Sequence, residues 1–350
     1  MNPPLSLVTG AAGFMGTHMV EILKEAGHQV RATDLPFRSE QDDPKTGRYP
    51  SLFKKWGVEF VPADITNKES LRAAVHGVDF IFHIAAVFSY SAPWELLYQV
   101  NVQGTKNLCE LIVEEAPGLK RLVLWSAAGL YGLPPRDQLP ISENFPLQGM
   151  NPYLQSKKEQ EEFVRQFCAA KGISVSMIRP AAPIGPRAVY GGAQLVTQFG
   201  KSKKVMIPGN FTSLVPIASV RDICGIAFFV SQKEEAKGEV YNTDNFALPT
   251  IEMARMIAEA AGHRLVKIPP VPVSLVRGIV SALATLNDWW IKGFSKKARR
   301  LFEKDSAKYI GHDVSYSCDK IKALGYRYQY QDPKRLVQDT VRWYKENNLI

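Results

Sequence analysis

A short apolar strand, Leu5-Ser6-Leu7-Val8, runs straight into Thr9-Gly10-Ala11-Ala12-Gly13-Phe14-Met15-Gly16, and then into apolar residues at helical spacing, Met19, Val20, Ile22 and Leu23. Strand, glycine turn and helix in immediate succession leave the backbone few alternatives. Gly10 permits the tight turn, Gly13 lets main chain approach a pyrophosphate, and Gly16 lets the helix pack closely on the strand. The helix N-terminus then receives the phosphate charge. The next strand, Gln29 to Thr33, ends at Asp34, where an acidic residue accepts hydrogen bonds from an adenosine ribose; the competing reading is a turn cap. A carboxylate there repels a 2′-phosphate and so favours NAD over NADP, while Arg31 and Arg38 are near enough in sequence to keep NADP open.

The alternation of strand and helix continues. Val58 to Val61 leads to Asp64-Ile65, Phe80-Ile81-Phe82 to His83-Ile84-Ala85-Ala86, and Arg121 to Trp125 ends at Ser126, with helical patterns over Lys68 to Val75 and Asn101 to Glu115. This predicts an α/β, Rossmann-type, doubly wound parallel sheet, with ligands bound where the strands end. Asp64 is placed to accept from an adenine amino group, and the small Ala85 and Ala86 let a cofactor pass close to the sheet. His83 lies in an apolar run and reads as a core histidine. We expect a cofactor domain over 1–185 with return segments at about 214–245. A smaller, partly interleaved C-terminal substrate domain is expected over 186–350.

Composition narrows the function. The chain has 350 residues, 45% of them apolar, enough for a sizeable core. Its four cysteines, Cys109, Cys168, Cys224 and Cys318, are scattered, which suggests neither disulfides nor a metal site and fits a reduced, cytoplasmic setting. The formal charge of +9 is concentrated in part between Lys292 and Lys308, without the interleaved aromatics of a nucleic-acid groove, so no nucleic-acid partner is expected.

One pair carries chemistry. In Asn151-Pro152-Tyr153-Leu154-Gln155-Ser156-Lys157, a phenol and an ammonium four apart share a helix face. A nearby cation favours the phenolate and brings a tyrosine towards use as a general acid/base. No Gly-x-Ser-x-Gly, His-Glu-x-x-His or phosphate-binding Gly-Lys-Ser/Thr competes with it.

With Gly10-x-x-Gly13-x-x-Gly16, Asp34, Asp64-Ile65, His83-Ile84-Ala85-Ala86, Asn101-Val102-Gln103-Gly104-Thr105, Tyr153-x-x-x-Lys157 and Arg179-Pro180 in this order, nearly the whole chain resembles the extended short-chain dehydrogenase/reductases. It looks most like the 3β-hydroxysteroid dehydrogenase and dihydroflavonol reductase branch, with the sugar-nucleotide epimerases as neighbours. The resemblance implies Tyr153 as general acid/base, with Lys157 lowering its pKa and holding the nicotinamide ribose. It implies that Asn101 fixes the active-site helix and a proton-relay water, although an N-cap explains an Asn there equally well. It also implies a cofactor contact set that adds Phe14, Met15, Ile65 and Pro180 to the residues above. The substrate-binding serine of relatives falls on Ala127 if Tyr131 sets the register as in epimerases, and on Ser126 in the dihydroflavonol-reductase register. Ser126 is chosen as the only hydroxyl in the turn before Tyr131.

In the second half, Ala181-Ala182-Pro183 stands where sugar-nucleotide epimerases commonly place an Asn against the diphosphate, which favours a ligand without one. Asp222 reads as a helix cap. The segment 269–302 is distinctive: Val271, Leu275, Ile279, Leu283 and Leu286 lead to Trp289-Trp290 and then to cations. It reads either as an interfacial element making peripheral membrane contact through 271–300, or as a lid or core helix. The expected activity is NAD-dependent interconversion of a secondary alcohol and a ketone on a hydrophobic small molecule, a steroid or triterpenoid with a 3β-hydroxyl. The rivals are a nucleotide-sugar epimerase and a non-enzymatic cofactor-sensing regulator. A homodimer is expected by analogy with relatives.

Overall fold

The computed structural model describes residues 3–37, 41–294 and 304–350, leaving aside the side chains at 288, 290–294 and 304. Arg38 and the basic stretch Lys296 to Arg300 lie outside the described residues. Strands β1 (Leu5–Thr9), β2 (Gln29–Asp34), β3 (Glu59–Pro62), β4 (Phe80–His83), β5 (Arg121–Trp125) and β6 (Val175–Arg179) form one parallel sheet. The chain then makes β7 (Pro183–Ile184), β8 (Lys204–Pro208) and β9 (Leu214–Ser219) outside it. It returns with β10 (Val240–Asn242) beside β6 and leaves again with β11 (Phe246–Pro249) and β12 (Arg264–Ile268). The order across the large sheet is β10-β6-β5-β4-β1-β2-β3, as expected for a doubly wound fold. The connection reverses between β1 and β4, so the ligand crevice of such a sheet lies outside the carboxyl ends of these two strands.

The helices are α1 (Phe14–Glu25), α2 (Pro50–Trp56), α3 (Lys68–Val75), α4 (Trp94–Leu97), α5 (Gly104–Glu115), α6 (Pro152–Lys171), α7 (Ala193–Lys201), α8 (Val220–Ser231), α9 (Thr250–Ala261), α10 (Val273–Phe294), α11 (Asp319–Ala323) and α12 (Pro333–Glu346). Strand β5 shows why helices cover both faces. All five of its residues are buried, with Leu122 and Leu124 in the core beneath α3, α5 and α6, and Val123 and Trp125 in the core beneath α1 and α8. Burying each such aliphatic side chain contributes roughly 1.5–3 kcal/mol. The smaller sheets β11-β9-β7 and β12-β8 pack with α7, α9 and α12 beyond the sheet's end.

Two local readings change. The helix expected from Asn101 begins at α4 and passes through a π-helical turn, Tyr98–Gln103, before α5, so Asn101 is interior and caps nothing. Such turns re-aim side chains and are frequent at functional sites. Asp222 is not a cap either. Ser219 caps α8, and the fully buried Asp222 carboxylate accepts from the backbone of Gln329 and Tyr330 and from Asn245, tying the C-terminal segment to the core.

At the first turn, Gly10 adopts φ +66°, and a Cβ there would meet the Ala85 backbone at 2.8 Å; a Cβ on Gly16 would lie 2.1 Å from the Gly10 carbonyl oxygen. Gly13 has extended backbone, and a Cβ would sit 3.3 Å from that same oxygen. We therefore expect Gly16→Ala to lower unfolding free energy by about 3 kcal/mol through backbone overlap, and Gly13→Ala by about 1 kcal/mol or less. Denaturant melts of the two variants check this, and equal losses would contradict it.

Candidate active site

The first half of the site is the crevice at β1 and β4. Thr9 and His83 stand opposite each other at the two strand ends, and the Thr9 hydroxyl bonds His83 Nδ1 at 2.8 Å while accepting from the amides of Ile84 and Ala85 at 3.2 Å. Burial pushes the His83 imidazole down to about 3, with the Lys157 charge adding to the shift. It is a neutral core group, as its apolar setting suggested. Asp34 closes the other side. Its carboxylate accepts from Ala12 N at 3.0 Å and Leu35 N at 2.8 Å. Burial raises its pKa, opposed by Arg48, whose guanidinium lies 3.6 Å away. Arg31 plays no part here: it bonds Glu59 and the carbonyls of Ala73, Ala74 and His76, capping the C-terminal end of α3. The cation beside Asp34 is Arg48, which the sequence reading did not name.

The remaining expected cofactor residues divide. Ala85, half-buried, lies against Gly10, and Ala86 after it is exposed. Phe14 is buried and packs edge-on against His18 and Tyr190, so it and Met15 offer backbone N–H groups at the start of α1 while their side chains belong to the core. Asp64 is exposed, its carboxylate held by Thr66 N and Oγ1 at 2.9 and 2.8 Å; Ile65 packs against Gly104, where a Cβ would approach it to 2.9 Å. Pro180 is buried and accepts from Ala128 N.

Helix α6 supplies the second half. Asn151 caps it, accepting from Leu154 N at 2.9 Å, and Pro152 stands at its first position. Tyr153 and Lys157 then fall on the buried face. Tyr153 sits edge-on to Phe88 at 5.0 Å between ring centroids and tilted to Tyr90 at 5.8 Å, in a cluster with Leu97, Ala127, Leu130 and Leu154. Lys157 is buried, and its Nζ donates to Trp125 O at 2.5 Å and to Gln160 Oε1. Burial pulls this ammonium down to about 7, against the raising influence of Glu161. Asn101 accepts from Val87 N at 2.8 Å and donates to Ser156 Oγ at 2.9 Å, so it pins the loop after β4 to the turn of α6 between Tyr153 and Lys157.

Ser126 is where the structure departs most from expectation. Its hydroxyl donates to Glu161 Oε2 at 2.7 Å, inside a buried group in which Arg179 pairs with Glu161 and donates to Tyr131 OH, and Tyr131 donates to Asn242. Burial alone would raise the Glu161 pKa, but the hydrogen bonds and charge of Arg179, with Ser126 assisting, hold it below the usual carboxylate range. Ala127, the residue that the epimerase register would put at this place, shares an apolar cluster with Tyr153. Sequence reasoning also missed Gln160, whose Nε2 bonds Thr105 Oγ1 at 2.6 Å; its position three residues after Lys157 was the available signal.

A Rossmann sheet with a glycine-turn cofactor crevice, facing a buried Tyr-x-x-x-Lys pair, defines a short-chain dehydrogenase/reductase of the extended type. The profile of the NAD dependent epimerase/dehydratase family matches residues 6–243, and the chain belongs to that family. Its cofactor is NAD, and the strict glycines of the turn and the Asp34 carboxylate fit it. The chain is 29% identical over 384 residues to an Arabidopsis thaliana 3beta-hydroxysteroid-dehydrogenase/decarboxylase, covering 97% of this chain and 84% of the relative. It is 25% identical to sterol demethylase protein B of Methylococcus capsulatus, over 99% of each chain. The fold is shared with the Thermus thermophilus UDP-glucose 4-epimerase in complex with NAD, at TM-score 0.70 and 23% identity over 97% and 99% of the two chains.

Two outcomes follow for the side chains. Ser126→Ala should destabilise the protein by about 1–3 kcal/mol, since buried Glu161 loses a donor, yet leave kcat within about threefold. Tyr153→Phe should lower kcat by roughly 10²–10⁴-fold. Thermal melts and initial rates separate these roles, and a Ser126→Ala loss matching Tyr153→Phe would return the serine to the reaction. For Lys157, the unfolded chain keeps a proton that the folded, cofactor-free chain releases between about pH 7 and 10.5, so stability rises with pH across that window. Lys157→Met should remove this part of the rise; an unchanged pH profile of the melting midpoint would contradict the lowered pKa.

Proposed function

We propose that this enzyme interconverts a secondary alcohol and a ketone on a hydrophobic polycyclic substrate, with the 3β-hydroxyl of a steroid or triterpenoid as the favoured group. The observation that carries the reading is the apolar setting of Tyr153: Phe88 and Tyr90 pack against its ring, in a cluster with Leu97, Ala127, Leu130 and Leu154. Such walls suit a fused-ring alcohol better than a sugar diphosphate. Ala181, Ala182 and Pro183, small and apolar at the exit from β6, extend the same character. The sterol-directed relatives support the choice.

NAD, when bound, supplies the hydride acceptor. The chain handles the proton. Tyr153 takes it from the substrate hydroxyl as the phenolate, or returns it in reduction. A protonated Lys157 one helical turn away stabilises that phenolate, and its donors to Trp125 O and Gln160 hold it in register. Asn101 keeps the helix and the loop after β4 at a fixed separation. Gly10, Gly13, Gly16 and Asp34 would hold the dinucleotide, and the apolar wall excludes water from the reacting carbon.

Incubating the purified chain with NAD and a panel of 3β-hydroxy sterols, triterpenoid alcohols and UDP-sugars tests the reading. Reduced nicotinamide should accumulate with a sterol or triterpenoid alcohol and not with UDP-sugars. Interconversion of UDP-sugars with no net reduction of NAD, and no turnover of the polycyclic alcohols, would establish the epimerase reading instead.

A further inference from the structure

Two parts of the molecule take no part in the chemistry at Tyr153. Helix α10 is not a core helix, since Leu275, Ile279, Leu283 and Leu286 are all more than half exposed, and no helix among the described residues is long and apolar enough to cross a membrane. The other part is the rim of the cofactor crevice. There Arg48 Nη2 lies 3.6 Å from Asp34 Oδ1, with the arginine side chain 40% exposed and that of the aspartate 13%. At this separation they form an ion pair without a hydrogen bond, so the guanidinium donors remain available to a third group. The chain fixes Arg48 from both sides. Asp43 and Arg48 pair as an antiparallel bridge through N–H to O=C bonds of 2.8 and 3.2 Å, and the Asp43 carboxylate closes the turn by accepting from Thr46 Oγ1 at 2.8 Å. Gly47 turns at φ +71°, with the Val189 methyl groups 3.1 and 3.2 Å from where a Cβ would stand, and Tyr49 is buried edge-on to Trp343.

We propose that Arg48 is a specificity-determining residue of the cofactor site: its guanidinium is one side of a seat for the 2′-phosphate of NADP, which the Asp34 carboxylate closes. A carboxylate that receives the ribose hydroxyls stands within a hydrogen bond of the 2′ oxygen. A long, rotatable arginine side chain that already comes within 3.6 Å of that carboxylate also reaches a group bonded to it. Its forked donors match phosphate geometry. With NAD, the ribose hydroxyls donate to Asp34, and Arg48 adds only a part-exposed charge that solvent screens. With NADP, the phosphate faces the carboxylate directly, and repulsion by a group that burial takes out of water outweighs one half-exposed arginine. The preference for NAD thus rests on the single charge of Asp34, in a seat otherwise fitted to NADP. An Arg48 that served only to neutralise Asp34 would affect neither cofactor once residue 34 carried no charge.

The test is titration of the full chain with NADH and with NADPH, read by nicotinamide fluorescence. The wild type should bind NADH the more tightly. Asp34→Asn should tighten NADPH by about ten- to a hundredfold and weaken NADH. Adding Arg48→Ala to Asp34→Asn should cost NADPH about tenfold or more and leave NADH within about threefold, while Arg48→Lys in its place should keep part of the gain. Melting midpoints report the fold, and Asp34→Ser, which keeps an acceptor for Ala12 N, is the second variant should Asn disturb the turn. No gain for NADPH in either Asp34 variant, a gain that survives Arg48→Ala, or equal losses of both cofactors on Arg48→Ala would overturn the proposal. So would a wild type that binds NADPH as tightly as NADH. No substrate enters the measurement, so its failure leaves the sterol reading standing, and the reverse.

Discussion

The site depends on an ammonium group buried where no carboxylate among the described residues pairs with it. Desolvating a charge is costly, and Lys157 offsets the cost through the Trp125 carbonyl and Gln160 while giving up part of its proton affinity. Gln160 is in turn bonded to Thr105, Thr105 to His83, and His83 to Thr9, whose hydroxyl receives the amides that follow β4. A continuous polar chain thus runs from the helix that carries Tyr153 and Lys157, under the crevice, to the glycine turn. Because its members are buried, loosening any one leaves another unsatisfied, which is a physical reason for the rigidity of a site that must present two reactants in one geometry. The neutral His83 belongs to this scaffold: with its pKa near 3 it bonds a hydroxyl on either side without adding a second positive charge beside Lys157.

How far the sequence carries depends on whether a residue's role is local. Gly10, Gly16 and Asp34 act through their own turn and strand, so spacing alone located them, and the doubly wound sheet followed from the alternation of strands with helices. Asp222 was read as a cap, and a cap was one of the two readings of Asn101, because capping is the local role for such residues; each instead bonds segments distant in sequence, which for Asn101 the family resemblance implied and no pattern around either residue reveals. Ser126 is the most instructive case. Leu122 and Leu124 face the α6 side of the sheet and Val123 and Trp125 the other, so strand periodicity carries Ser126 to the α6 side. There Glu161, two turns beyond Tyr153, takes its hydroxyl. Glu161 itself looked like one more charge on a polar helix, and only the position of Arg179 on β6 makes it a core residue.

If Ala127 stands at the serine place of the epimerase register, its methyl group in the Tyr153 cluster would change what the site asks of the proposed substrate. A hydroxyl at that place would donate to the reacting oxygen, and a single donor aimed at developing charge is worth about 2.7–4 kcal/mol in acyl-transfer enzymes. Hydride transfer passes through the same alkoxide-like transition state in both directions, so without a hydroxyl at that place the Tyr153 phenol would be the main polar contact to the charged oxygen. The burden of orientation then shifts from hydrogen bonding to shape. Phe88 spans both halves of the site: it meets Tyr153 edge-on and stacks on Tyr190, which packs against Phe14 at the start of α1. The aromatic wall is thereby anchored to the helix that begins at the cofactor turn. A large rigid substrate, held over its whole length by apolar contact, tolerates the loss of one polar contact at its reacting end. A small polar one gains too little from such walls to be oriented by them. Under the proposed function, the alanine and the aromatic enclosure would serve the same kind of substrate.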